Sequence, residues 1–184
     1  MILPADTAYG IDSCVGIDPG PATGMCFLDY DRGNLVGRTL LQADGGSAAI
    51  VLKAMLSAYA GTGRVERRVA SVERFVTGQS AGARGKPAEV TRQIVFELVE
   101  VLQMYGYQVT LRNAGDVKPW ATDRRLQAAG VTGTTRAMHG NMNHAYDAAR
   151  HCLYGAKDAG VVADPLHSLC GARLGTASTQ RNVH

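Results

Sequence analysis

Apolar positions in this chain first recur in short, strand-like runs and later at helical spacing. An apolar run at 14–17 stops at Asp18-Pro19-Gly20-Pro21, a turn with two prolines. Residues 24–28 form a second run, Asp29 to Asn34 supplies turn chemistry, and 35–41 forms a third. Three such segments joined by short turns predict an antiparallel meander. Ser47 is placed to cap a helix to about Ala60, with Ile50, Met55 and Leu56 on its buried side and Gly61 ending it. A basic connection at 64–68 leads to a fourth strand, 69–75, and then to a Gly/Ser/Ala-rich loop at 78–86.

The clearest helix follows. Pro87 suits its first turn, and Val90, Ile94, Leu98, Val101, Leu102 and Tyr105 recur at helical spacing until Gly106. Residues 107–112 alternate as a fifth strand, Thr122 or Asp123 could cap a short helix to Ala129, and a last helix spans 143–156. Residues 1–12 read as an arm, 13–156 as one domain, and 157–184 as an irregular, partly flexible tail. Without the short helix the order is βββαβαβα. The expected fold class is α/β, with five strands in one sheet covered by helices.

Composition narrows the setting. With 184 residues, 46% hydrophobic and 19% charged, the chain can bury a core. No run approaches the roughly 18 apolar residues that a membrane span requires, and no signal peptide is evident. A cytoplasmic protein is the expectation. The cysteines at 14, 26, 152 and 170 form no CxxC pair, and Cys14 and Cys26 read as small buried thiols in a reducing compartment. The net charge of +3 conceals an uneven distribution: residues 61–125 hold 11 basic and 7 acidic groups, and 15 of the 19 cations are Arg. Arg forks onto phosphate oxygens, so this bias hints at nucleic acid.

Three segments carry candidate chemistry. Asp18 ends the first strand, where a charge beside a buried run is awkward, although Asp also starts turns. Glu73 is one of only five glutamates and follows Ala70-Ser71-Val72 inside a core-like strand; an edge position is the plainer reading. His144, Asp147 and His151 fall at i, i+3 and i+7, on one helical stripe that could equally be solvated. If the ends of strands one and four are neighbours and the last helix crosses them, Asp18, Glu73, His144 and Asp147 converge. Three carboxylates and an imidazole suit Mg²⁺ or Mn²⁺. A pair of such ions can activate water and stabilise the leaving oxygen of a phosphodiester.

The strand order resembles the RuvC family of Holliday junction resolvases. So do the segments Gly16-Ile17-Asp18-Pro19-Gly20, Thr23-Gly24, Val72-Glu73-Arg74-Phe75 and His144-Ala145-Tyr146-Asp147-Ala148, over about residues 14–156. The resemblance implies an RNase H-like mixed sheet with helices on both faces, and a homodimer that cuts four-way DNA junctions. It implies Asp18, Glu73 and Asp147 as catalytic metal ligands, with His144 in the fourth place and two Mg²⁺ ions per site, replaceable by Mn²⁺. The segment containing Ser80, Ala81, Ala83, Arg84 and Gly85 is similar to the family's but shorter, and Pro87 departs from it. The Arg-rich, compact chain also resembles resolvase-like proteins of bacteriophages, which would place it in a host cytoplasm.

Arg74, Arg84, Lys86 and Arg92 follow Glu73, and Lys118, Arg124 and Arg125 flank Trp120. Cations interleaved with aromatics suit backbone contact and base stacking, and Phe75 could stack at an opened junction; ordinary surface charge and core packing are the plainer readings. His151 is a candidate support for the metal ligands, or a helix C-terminal cation. Three competing readings are a nuclease for flaps, forks or RNA-containing substrates, a non-catalytic junction binder, and an actin-like ATPase fragment. The last would need a second glycine-rich phosphate loop, which the sequence does not show.

Overall fold

A computed structural model of the chain describes residues 10–60, 65–75, 86–132 and 142–167. Strands β1 (Ile11–Asp18), β2 (Ala22–Asp31) and β3 (Asn34–Asp44) form the expected meander. They are followed by α1 (Ala48–Ala60), β4 (Val65–Glu73), α2 (Lys86–Met104) and β5 (Gln108–Arg112). Two short helices, α3 (Ala114–Val117) and α4 (Asp123–Ala128), precede α5 (Asn143–Asp158). The sheet order is β3-β2-β1-β4-β5. β1 runs antiparallel to β2 and parallel to β4, and β4 runs parallel to β5. The expected five-stranded mixed sheet is therefore present, with β1 at its centre.

Each face of the sheet has its own core. Val15, Ile17, Met25, Phe27, Ala70 and Val72 point toward α1 and α2. Cys14, Cys26 and Leu28 point toward α4 and α5, against Leu126, Ala148, Ala149, Cys152 and Leu153. Alternation along β1 and β2 sends neighbours to opposite faces, which is why both strands are apolar throughout and read as core. Cys14, Cys26 and Cys152 are free thiols, all buried. Burial, with nearby Asp12 and Asp29, pushes the Cys14 thiol up to about 12, so it stays protonated.

Several boundaries differ from expectation. β1 begins at Ile11 rather than Cys14, and β4 begins at Val65 rather than Val69. Both extensions contain polar residues, which masked them. Asp12 lies opposite Arg67 in the parallel register, and Arg67 grips its carboxylate with Nε at 2.8 Å and Nη2 at 2.6 Å. At the other end β4 stops at Glu73 rather than at residue 75. Ile50 is 72% exposed, not buried, because the buried stripe of α1 runs through Ala48, Leu52 and Leu56. Val90 is likewise exposed, since α2 buries Ala88, Thr91, Ile94, Leu98 and Leu102 instead. α5 continues to Asp158, and beyond it Val161 is buried and Asp164 pairs with Arg125. This part of the expected tail thus packs on the domain.

α5 lies unusually close to the sheet. A methyl group on Gly16 would sit 2.1 Å from the Ala148 carbonyl oxygen, and one on Gly24 would sit 2.0 Å from that of His144. Backbone meets backbone at both points, so no side chain can yield. Gly16→Ala is expected to lower stability by about 2–4 kcal/mol in denaturant titrations. Gly115→Ala, where an added methyl meets nothing within 4 Å, serves as the near-neutral control. A Gly16→Ala loss below about 1 kcal/mol would mean that α5 can lift away without penalty.

Candidate metal centre

The site forms at the carboxyl ends of two parallel central strands. Ile17 of β1 pairs with Val72 of β4, which brings the next residues, Asp18 and Glu73, to adjacent strand ends. On the other side Asp18 pairs with Gly24 of β2. Because Gly24 has no side chain, the first turn of α5 rests on it, and His144 arrives above Asp18. His144 Nδ1 donates to Asp18 Oδ2 at 2.7 Å. One turn further along α5, Asp147 accepts from Lys118 Nζ at 3.0 Å and from Arg150. A further turn on, His151 Nε2 donates to Glu73 Oε2 at 3.1 Å. The stripe of 144, 147 and 151 thus faces the strand ends.

The electrostatics register this convergence. Burial above all raises the Asp18 carboxyl; the negative charges of Glu73 and Asp147 push it further, while the His144 hydrogen bond opposes them. At Asp147 burial also acts to raise the carboxyl, but the Lys118 hydrogen bond and the charges of Lys118 and Arg150 outweigh it and hold it low. Lys118 loses solvation, yet its hydrogen bond to Asp147 and the charges of Asp147, Glu73 and Asp18 raise it. One ammonium therefore lies in the field of three carboxylates.

Three carboxylates and an imidazole suit a hard divalent cation, and Asp18, whose carboxyl burial above all raises, lies in the field of both Glu73 and Asp147. The donors fit such an ion. As they stand they are turned to protein partners: among the described residues no three His, Cys, Asp or Glu side chains close into a shell.

Two residues that sequence reasoning did not single out support the site. Gln42 on β3 accepts from the backbone N–H groups of His144 at 2.9 Å and Ala145 at 3.2 Å. It caps the first turn of α5, whose own N-cap, Met142, makes no side-chain cap. Arg150 bridges Asp147 to Asp123, the latter at 2.6 Å. Gln42 had no sequence signal, since it acts from 102 residues away; for Arg150 the i,i+3 spacing from Asp147 was a signal, but its bridge to Asp123 was not.

The candidate DNA contacts separate. Arg74 is exposed and Phe75 half-buried, and both line a groove of about 380 Å³ with Pro19, Glu73 and Asn113. Arg92 is exposed on α2, in the layer opposite α5. The expected cluster of Lys118, Arg124 and Arg125 divides: Lys118 joins the carboxylates, and Arg124 is exposed. Arg125 stacks on Trp120 at 4.9 Å and pairs with Asp164 at 3.1 Å. Arg84 and the Lys86 side chain lie outside the described residues.

No family model matches the chain, and no curated protein does either. Among solved structures, Thermus thermophilus RuvC in complex with a Holliday junction substrate matches with a TM-score of 0.58 at 16% identity, over 83% of this chain and 96% of that one. A Thermus thermophilus RuvC structure gives 0.55 at 14% identity, covering 82% and 96%. This chain has a RuvC-like fold. In that RuvC-like frame the acidic positions arise from β1, β4 and α5, the three elements that meet at the centre of the sheet. Among the described residues no helix is long and apolar enough to cross a membrane.

A carboxyl with a higher pKa in the folded than in the unfolded chain binds its proton more tightly when folded, so stability falls as pH rises through its titration. Ionised Asp18 therefore costs stability at neutral pH. Asp18→Asn keeps the shape and a partner for His144, and is expected to raise the unfolding midpoint of metal-free protein at neutral pH. The gain should shrink toward about pH 4, where the unfolded carboxyl also protonates. Thermal melts in chelator at both pH values measure it, and a lowered midpoint at neutral pH would contradict it.

Proposed function

We propose that this protein is a divalent-metal-dependent endonuclease of branched DNA, most specifically a Holliday junction resolvase. The observation that carries the reading is the meeting of Asp18, Glu73 and Asp147, from three distant segments, at the ends of β1 and β4 beneath α5. The fold likeness to RuvC supports the substrate class. Asp18, Glu73, His144 and Asp147 would hold two Mg²⁺ ions, with Mn²⁺ as a substitute. When bound, such ions supply positive charge for activating water and for the departing oxygen of a phosphodiester.

The chain's own residues set the remainder. His144 donates through Nδ1 to Asp18, which leaves its Nε2 lone pair available for ligation. His151 has no exposed surface, and its hydrogen bond fixes the orientation of the Glu73 carboxylate from below. Phe75 and Arg74, beside Glu73 in one groove, are placed to stack on a base and contact a phosphate. Arg84, Lys86, Arg92, Lys118, Arg124 and Arg125 remain proposed backbone contacts. Arg125 is already engaged by Asp164, so its contribution should be the smallest of the described set. A homodimer follows from the reading, since symmetric cutting needs two sites.

Cleavage of a synthetic four-way junction tests the proposal. Wild-type protein should cut it with Mg²⁺ or Mn²⁺ at mapped, symmetric positions. Asp18→Asn and Glu73→Gln should each lower the rate by about a thousandfold or more while the gel-shift affinity for the junction stays close to wild type. Full cutting by Asp18→Asn would sink the assignment. Tight binding with no cutting in either metal would instead indicate a junction-binding protein, and equal cutting of flaps or forks a broader nuclease.

A further inference from the structure

The two cations on Asp147 are not alike. Arg150 is 14% exposed and is held at both ends, by Asp147 and by Asp123. Removing it from the site would break two ion pairs. Lys118 is 43% exposed, and its ammonium contacts Asp147 Oδ2 at 3.0 Å. It projects from the turn after α3, where its backbone is the C-cap of that helix, so its side chain can move without disturbing β5 or α5. Its charge also interacts with Glu73 and Asp18.

We infer that Lys118 is the resident counter-ion of the carboxylate cluster, and that it competes with the divalent cation for Asp147. The inference rests on the metal-dependent reading above and assigns Lys118 a role besides DNA contact. An ammonium and a divalent ion cannot share the same carboxylate oxygen at full strength, because like charges repel at close range. Entry of the ion must therefore displace Lys118 from Asp147, at the expense of metal affinity. Once displaced, the ammonium is free to meet a phosphate. Metal loading and DNA engagement would then be coupled through one flexible side chain, whereas Arg150 stays in place and keeps Asp147 oriented throughout.

The test is metal binding in the absence of DNA. Mn²⁺ is titrated into the full chain by calorimetry, for wild type, Lys118→Met, Lys118→Arg and Asp18→Asn, with thermal melts confirming that each is folded. Lys118→Met removes the charge and keeps most of the side-chain volume, and is expected to bind Mn²⁺ about three- to tenfold more tightly at moderate salt. Lys118→Arg retains the charge and should bind as wild type does. The tighter-binding Lys118→Met protein should nevertheless cut junctions more slowly. If Lys118→Met binds Mn²⁺ no more tightly than wild type, the competition is refuted, and Lys118 is only a DNA contact or a structural pair. If wild type binds no Mn²⁺ and Asp18→Asn behaves identically, the metal-centre reading itself falls. If Lys118→Met does not fold, Lys118→Gln supplies the same comparison.

Discussion

The contact on which the site depends is the close approach of α5 to β1 and β2. Gly16 lies under Ala148 and Cys152, and Gly24 lies under His144, with backbone atoms in direct apposition. No larger residue fits at either point. The approach brings the first three turns of a helix, through His151, alongside strand ends that carry carboxylates. Without it, Asp18 and Glu73 would be neighbours on the sheet, but His144, Asp147 and His151 would lie out of reach. Gln42 adds a second restraint by capping the end of α5 that lies over the site.

At the site so formed, ionised Asp18 opposes stability at neutral pH, whereas Asp147 is held low by its cations. Burial above all, with the charges of Glu73 and Asp147 added, raises the Asp18 carboxyl, and each member is paired with a protein group: Asp18 with His144, Glu73 with His151, Asp147 with Lys118 and Arg150. Those partners differ in how firmly they are held. Buried His151 and doubly anchored Arg150 set orientation, whereas half-exposed Lys118 supplies charge that can be withdrawn.

The two faces of the sheet divide the work of folding. The face under α1 and α2 is a conventional apolar core with Phe27, Ile17, Leu52 and Leu98 at its centre. On the face under α5, Ala148, Ala149 and Cys152 and the glycine-backed contacts allow the short helix-to-sheet distance, beside larger residues such as Tyr30, Leu126 and Leu153. Stability from the first face supports the close, charge-rich geometry on the second.

Much of this was legible in the chain. Short apolar runs between turn residues gave the five strands and their order, because strand burial imposes a pattern that local turns punctuate. The spacing of His144, Asp147 and His151 placed them on one stripe, since helical geometry is local. Other features were hidden because they depend on partners remote in sequence. Asp12 and Arg67 read as non-strand residues until the parallel register set them face to face. Ile50 and Val90 looked buried because apolarity does not state which side of a helix meets the sheet. Lys118 read as one of a basic cluster; only the tertiary fold turned it toward Asp147 and turned Arg125 toward Asp164. The sequence by itself determined which residues could do chemistry and which element each would ride on. Tertiary structure decided which charges face one another, because Coulomb interactions depend on distance in space, and distance in space is set by how α5 seats on two glycines.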